Sequence, residues 1–413
     1  MNALMMIPNR AGFQFTDLDL AGPLERIWGT TVHQLDPDAL YRERGMSGLE
    51  SEVLGTIERH GIEVVIYWAA GYDFHPRFFY DTLKHTYRVL MTGDDEYGFD
   101  IADRYYGQCF DLVLTHNPLH ERYWLYGIEA QMFPSVFNPA VFSPGEWLRR
   151  DIDASFIGTA HNKTGREAAA LAAAGIDLQL YGPGSPAGIL TQADVIEVYR
   201  RSRLNLNFTG VGSYALDSEQ TIVRRIRQVK GRCTKIALCG SFVLSEHAPG
   251  IEKLFEIGRE IDVFRDEEEL VEKARFYLTH EELREQMAAR ARARALERYD
   301  ESKYWARMAH TIEERACLKK ERRRRPLPLC VDRVFWSAYG AWRFKYLVIF
   351  LFTGKLRLFL EELMLLARAG RFNPKAALWL GAAGLHIARQ RSRLAAWTAA
   401  VAHRLRRLLA PRQ

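Results

Sequence analysis

From Leu4 to about position 300, short apolar runs alternate with amphipathic stretches, the pattern of repeated βα units wound around a parallel sheet. Apolar runs at 3–7, 31–35, 64–68, 88–92 and 111–115 predict five strands, and the spacing over 48–60 and 101–109 predicts helices between them. The series stops at Phe137-Asn-Pro-Ala-Val-Phe-Ser-Pro-Gly145, whose two prolines extend neither a helix nor a central strand. A second series follows, with strands at 154–158, 178–182, 204–208, 241–245 and 260–264 and helices at 166–174, 194–202, 226–238 and 267–278. Residues 281–299 and 302–316 keep helical spacing and read as terminal helices packing across the domains. The expected class is α/β: two Rossmann-like domains, 1–140 and 141–318, facing each other across a cleft where a ligand would sit.

Beyond residue 318 the pattern changes. A basic run at 319–325 ends at Pro326-Leu-Pro328, a hinge signal, and 331–413 carries apolar clusters such as 346–352 and 376–387, each interrupted by Arg or Lys. None reaches the roughly 18–20 uncharged apolar residues that a membrane-spanning helix needs. The region 319–413 therefore reads as a mainly helical, basic and interfacial C-terminal unit.

Composition fits a folded chain: 413 residues, 48% hydrophobic, 26% charged and 12% aromatic. The formal net charge of +6 conceals a division, because 319–413 holds 21 basic and 4 acidic residues while the preceding part holds 36 and 47. Such asymmetry marks contact with a membrane or nucleic acid. Five cysteines without CxxC or zinc spacing, and an N-terminus without a charged region followed by a long apolar run, give a cytoplasmic expectation.

The most informative segment for chemistry runs from Gln228 to Glu246. Lys230, Gly231 and Arg232 open its helix and place two cations beside free backbone N–H groups, an arrangement that attracts phosphate; the same cations could equally decorate a solvated face. Asp94 and Asp95, with Glu96, close a predicted strand of the first domain, where carboxylates could bind ligand hydroxyls or act as a base, or cap the next helix instead. No further ligands stand at a recognisable spacing, so no metal is expected. His116 and Asn117 follow the next strand at the same cleft edge, and Arg10 and Gly12 lie in the first strand-to-helix loop; each has an acceptor-side reading and a purely structural one. Asn205 and Asn207 alternate along a strand and so share one face, where they could satisfy a loop.

Together with their surroundings, these pieces resemble the CgeB-like ("spore maturation protein" type) glycosyltransferases of the GT-B superfamily, over roughly 63–308. The resemblance rests on the order and spacing of Thr92-Gly-Asp-Asp-Glu96, Phe110-Asp-Leu-Val-Leu-Thr-His116, the Phe137–Pro144 linker, Ala154-Ser-Phe-Ile-Gly-Thr159, Gln179-Leu-Tyr-Gly182, Leu204-Asn-Leu-Asn-Phe208, the 230–246 segment, Leu254-Phe-Glu-Ile-Gly-Arg-Glu-Ile261, Glu267-Glu-Glu-Leu270 and Tyr277-Leu-Thr-His280. It implies retaining, metal-independent transfer of a sugar from a nucleotide diphosphate donor, held mainly by the second domain, to an envelope, lipid-linked or protein-borne acceptor entering from the first. No cofactor beyond the donor substrate is implied. The implied roles are leaving-group stabilisation by Lys230 and Arg232, acceptor chemistry at Asp95, and donor binding by Gly158, Thr159, Lys163, Arg166, Tyr181, Gly182, Lys235, Gly240 and Glu246. In this resemblance Asn205 and Asn207 match a polar strand before the donor site. One departure stands out: five residues before the Gly of Cys-Gly the family carries a Glu that accepts from the donor ribose, and this chain has Lys235, which only donates. Glu246 could replace it, the donor could be held differently, or the chain could be a non-catalytic sugar-nucleotide-binding or scaffold protein of the same fold.

The segment 331–413 sets 15 basic residues against three acids and includes Trp336, Trp342, Trp379 and Trp397. Tryptophan settles at headgroup level and cations are drawn to anionic lipid, so peripheral association with the inner face of a membrane through 326–413 is one expectation. A helical unit packed on the body is the other. Nucleic acid is disfavoured, because the apolar clusters exceed those of a simple basic arm.

Overall fold

A computed structural model describes residues 1–8, 20–69, 71–145, 150–159, 162–210, 226–321, 331–370 and 374–389. The first domain carries a six-stranded, all-parallel sheet in the order β2-β1-β3-β4-β5-β6, from β1 (Ala3–Met6), β2 (Val32–Leu35), β3 (Val64–Trp68), β4 (Tyr87–Thr92), β5 (Leu112–Thr115) and β6 (Ala130–Met132). The second repeats the plan with five parallel strands ordered β8-β7-β9-β10-β11: β7 (Ile152–Ile157), β8 (Leu178–Tyr181), β9 (Ser202–Asn207), β10 (Val243–Glu246) and β11 (Asp262–Phe264). All ten predicted strands are present. The missed one, β6, is three residues long with a central Gln131, too short to show a period.

Alternation along β3 shows why the first sheet is buried on both faces. Val65 and Tyr67 enter one core while Val64, Ile66 and Trp68 enter the other. The second of these is closed by α1 (Ala21–Trp28) and by a helix from the far end of the body, described below. The first is covered by α2 (Pro37–His60), which Asp36 caps by accepting from Ala39 N at 3.0 Å. Helix α2 breaks at Gly45 (φ 72°), and beyond the break only the second half corresponds to the predicted 48–60 helix.

In the second domain α3 (Asn162–Ala173), α4 (Gln192–Arg201), α5 (Arg232–Leu238), α6 (Glu267–Thr279) and α7 (Glu281–Arg298) flank the sheet. The helix expected over 226–238 is shorter: it starts at Arg232, and Gln228 N instead bonds Thr209 O at 2.9 Å. Gly231 is seated on Ser135, where a Cβ would lie 2.6 Å from the serine side chain. The helix expected over 101–109 is likewise replaced by single turns, including a π-helical one at Phe99–Asp103.

After α7, α8 (Glu301–Glu321) crosses back, and Tyr304, Trp305, Met308 and Ile312 fill the first domain's core beside β1, β3 and β4. A boundary at 318 thus assigns to the second domain a helix whose apolar face belongs to the first. The C-terminal unit follows with α9 (Arg333–Phe352), α10 (Leu356–Ala369) and α11 (Pro374–Arg389). Here the packed alternative prevails over the interfacial one for most of the described helices. Phe335, Tyr339, Trp342, Tyr346, Ile349 and Phe350 join the first domain's core, closing the sheet face that the broken turns between β4 and β5 are too short to cover. Trp342 is buried with its N–H on Asp73 at 3.3 Å; Trp397 lies outside the described residues. No described helix is long and apolar enough to cross a membrane.

Candidate functional site

The carboxyl ends of both sheets face one cleft. On the second-domain side, β7 ends at Gly158 and β8 at Gly182 (φ 109°), and the two backbones touch: a Cβ on Gly182 would lie 2.5 Å from the Gly158 carbonyl oxygen. Arg232 rests on this crossing. Its Nε donates to Ile157 O at 2.6 Å, its Nη1 to Asn207 Oδ1 at 2.5 Å, and its guanidinium lies 4.7 Å over the Phe156 ring. Asn207 therefore orients the cation, the strand-face role left open in the sequence.

Lys230 precedes α5 rather than opening it, and seven residues make a weak dipole, so the ammonium itself supplies the positive potential. Burial lowers the Lys230 pKa, opposed by Asp94 and Glu96 across the cleft. Its Nζ donates to Gln228 Oε1, leaving donor capacity on an ammonium that carries three protons.

Gln228 is the residue the sequence reading missed. Buried at 4% exposure, it reaches the first domain, its Nε2 donating to Gly93 O (3.1 Å), Asp94 Oδ1 (2.8 Å) and Glu96 Oε2 (2.9 Å). One neutral amide thus joins the acidic turn of one domain to the lysine of the other. A second bridge lies at the rim, where Lys253 Nζ donates to Pro118 O (3.1 Å) and Glu121 Oε1 (2.6 Å). No motif marks either residue; only the closed cleft gives them partners.

The acidic turn divides by depth. Asp95 is withdrawn from the cleft: fully buried, it accepts from Thr115 Oγ1 (2.6 Å) and Tyr123 OH (3.0 Å) and pairs with Arg122 at 2.9 Å. Its assignment to acceptor chemistry is corrected to a structural one. Asp94 and Glu96 face the second domain, and burial, with the Asp95 charge alongside, pushes Glu96 up to about 8. His116 stacks near Trp68 and Phe133, lies 3.3 Å from Ser135 Oγ, and is lowered by burial to about 4, so it is neutral at pH 7. Asn117 closes its own turn, its Oδ1 accepting from Leu119 N at 2.8 Å.

The remaining expected residues separate. Glu246 is engaged by Thr209 N (2.9 Å), Thr209 Oγ1 (3.0 Å) and Arg227 Nε (2.7 Å), a carboxylate built into the strand end rather than presented to a ribose. Lys235 holds its ammonium 4.8 Å over the Phe137 ring and 5.3 Å over Phe142, both in the linker. Gly240 (φ 68°) ends α5 beside Pro144. Tyr181 donates to Gln179 Oε1 at 2.6 Å, and Thr159 and Arg166 are exposed near the cleft mouth. Lys163 belongs to α3, its side chain outside the description; Arg10 and Gly12 lie outside the described residues.

Two facing Rossmann-like domains with their strand ends on a shared cleft define the GT-B architecture of glycosyltransferases, and solved structures of that architecture superpose on the chain. Residues 165–312 match the family model described as glycosyl transferase-like. The chain is similar in fold to the sucrose-phosphate synthase of Thermosynechococcus elongatus, at 10% identity over 76% of this chain and 98% of that one, TM-score 0.56. It is also similar to Anabaena HepE in complex with UDP and glucose, at 10% identity over 76% and 100%, TM-score 0.55. A third is AviGT4, a glycosyltransferase involved in avilamycin A biosynthesis, at 14% identity over 76% and 98%, TM-score 0.51. No curated protein matches the chain.

Proposed function

We propose that this enzyme transfers a sugar from a nucleotide diphosphate donor, as a retaining, metal-independent member of the CgeB-like group, to an envelope, lipid-linked or protein-borne acceptor. The observation that carries the reading is the backbone contact of Gly158 with Gly182 under the Arg232 guanidinium, beside Lys230. Neither glycine carries a Cβ, and Arg232 with the Phe156 ring lies over Gly158, so a diphosphate at that crossing meets the guanidinium directly, and with Lys230 beside it two cations offset the charge that develops as the sugar C1–oxygen bond breaks. The acceptor oxygen forms the new bond to C1, and its proton passes to the departing diphosphate, which leaves with the electron pair of the broken bond. Glu96, whose carboxyl is pushed up to about 8 and so keeps its proton at neutral pH, stands where Asp95 was expected and can donate a hydrogen bond to the acceptor.

A second reading, a non-catalytic sugar-nucleotide-binding protein, is favoured by Lys235 alone, since its ammonium sits on linker aromatics and cannot accept from a ribose. Release of nucleotide from a panel of UDP-, GDP-, ADP- and CMP-sugars separates the two. Turnover of at least one donor is expected, with Lys230→Ala slowing it by about 10²–10³. Nucleotide binding by calorimetry with no turnover of any donor would overturn the enzyme reading in favour of the binding protein.

A further inference from the structure

We infer that the outward face of α10 is a docking surface for an anionic lipid bilayer. The inference is independent of the donor reading and rests on a helix that is apolar on two sides. Inward, Leu358, Phe359 and Leu365 pack on the first domain's core. Outward, Leu356 (68% exposed), Leu360 (50%), Leu363 (44%) and Met364 (58%) form a second apolar stripe, with Leu351 (55%) of α9 nearby in sequence. At 100° per residue, the four outward side chains fall within an arc of about 100°. A solvated helix face would ordinarily be polar.

Charge selects the occupant. The cations exposed on this side are Arg357 and Arg368, which follow the stripe on the helix surface. Of the helix's two acids, Glu362 turns inward and Glu361 stands half-buried beside the two arginines at the edge of the stripe. Glu361 accepts from Ser47 N (2.9 Å) and Ser47 Oγ (2.8 Å) at the break in α2, and Glu362 accepts from Tyr41 OH at 2.6 Å. The outward stripe is therefore apolar and bordered by two arginines, while the nearest carboxylate, Glu361, is engaged by Ser47. Apolar side chains that enter the acyl boundary, flanked by arginines at headgroup level, match a helix lying in the plane of an anionic interface. A neutral protein surface would leave those cations without partners.

The sequence placed the lipid contact on the whole of 326–413. The structure withdraws two of its cations, because Arg343 and Lys345 of α9 are buried in the body and unavailable to headgroups.

Flotation of the full chain with phosphatidylcholine vesicles, with and without 30% phosphatidylglycerol, tests the inference. Binding is expected to the anionic vesicles only and to weaken with salt. The triple variant Leu356→Glu, Leu360→Glu, Met364→Glu is expected to lose at least about tenfold in partitioning, and Arg357→Ala with Arg368→Ala roughly tenfold, both with an unchanged melting temperature. Absence of wild-type binding, or equal binding by the triple variant, overturns the inference. So does a wild-type dimer that the triple variant dissolves, which would give the face to a second copy. A triple variant that melts early without wild-type vesicle binding would give it to the chain's own remaining residues.

Discussion

Two clusters of buried charge, one at the cleft and one under the C-terminal helices, use the same residue types to opposite ends. Under α9, Arg343 is fully buried, donating to Tyr41 OH and Tyr72 O and lying 3.4 Å from Glu362, while the Tyr346 hydroxyl lies 2.8 Å from Asp38 and 2.6 Å from Asp73. Every member belongs to the first domain or to helices packed on it, so the cluster moves as one body. At the cleft, the amide of Gln228 links Asp94 and Glu96 to Lys230, and the two sides belong to different domains. The difference teaches where to look for function. A charge network confined to one body fixes a fold, whereas a network that a neutral group bridges between two domains, with spare donor capacity on its cation, can exchange that group for a ligand.

The largest effect should come from breaking the cluster under α9. Arg343→Met leaves Glu362 buried without its cation and should cost about 3–5 kcal/mol in denaturant unfolding. Adding Glu362→Leu should restore most of that loss, because an apolar pair of similar volume removes the stranded charge. A single-variant cost under about 1 kcal/mol would show that the C-terminal unit is not anchored through this cluster.

A smaller effect is expected at the bridge. Gln228→Leu removes the amide that both carboxylates and Lys230 share and should cost about 1–3 kcal/mol. It should also open the cleft, raising the radius of gyration in solution scattering, which no substitution under α9 should do. An unchanged radius would mean that the rim contact of Lys253 with Glu121 alone holds the domains together.

The smallest effect at any single pH, and the sharpest, concerns Glu96. Its folded pKa, raised by burial to about 8, exceeds the ordinary 4.5, so over that window the unfolded chain has lost a proton that the folded chain keeps. Stability should therefore fall as pH rises from about 4.5 to 8, and Glu96→Gln should flatten that part of the profile. Glu362, raised by burial to about 7, acts in the same direction and should leave a residual slope. His116, lowered to about 4, acts oppositely, withdrawing stability as pH falls from about 6.5 toward 4. Identical slopes for wild type and Glu96→Gln would remove Glu96 from the set of groups that titrate late.

Both sheets were legible in the chain because a strand buried on two faces writes itself as an apolar run, as Val64–Trp68 does, and the proline-bearing linker marks where one sheet ends. Gly158, Gly182 and Arg232 were legible too, since glycines after strands and a cation before a helix are local signals. Gln228 was not, because a glutamine acquires a role only from what lies opposite it. Asp95 misled for the same reason: an Asp-Asp-Glu turn does not state which carboxylate points inward, and Thr115, Tyr123 and Arg122, distant in sequence, decide it.

The sequence by itself determined two βα series, the residues at their strand ends, and an acidic body followed by a cationic C-terminal region. Tertiary structure alone decided how that region is spent. Hydropathy counts Arg343 and Arg357 alike, yet one is buried in a hydrogen-bonded core and the other stands at the edge of an exposed apolar stripe. The physical reason is that a charge is assigned to a core or a surface by the partners that can satisfy it. Tyr41, Tyr72 and Glu362 come together around Arg343 only when α9 and α10 close over the first domain's open sheet face.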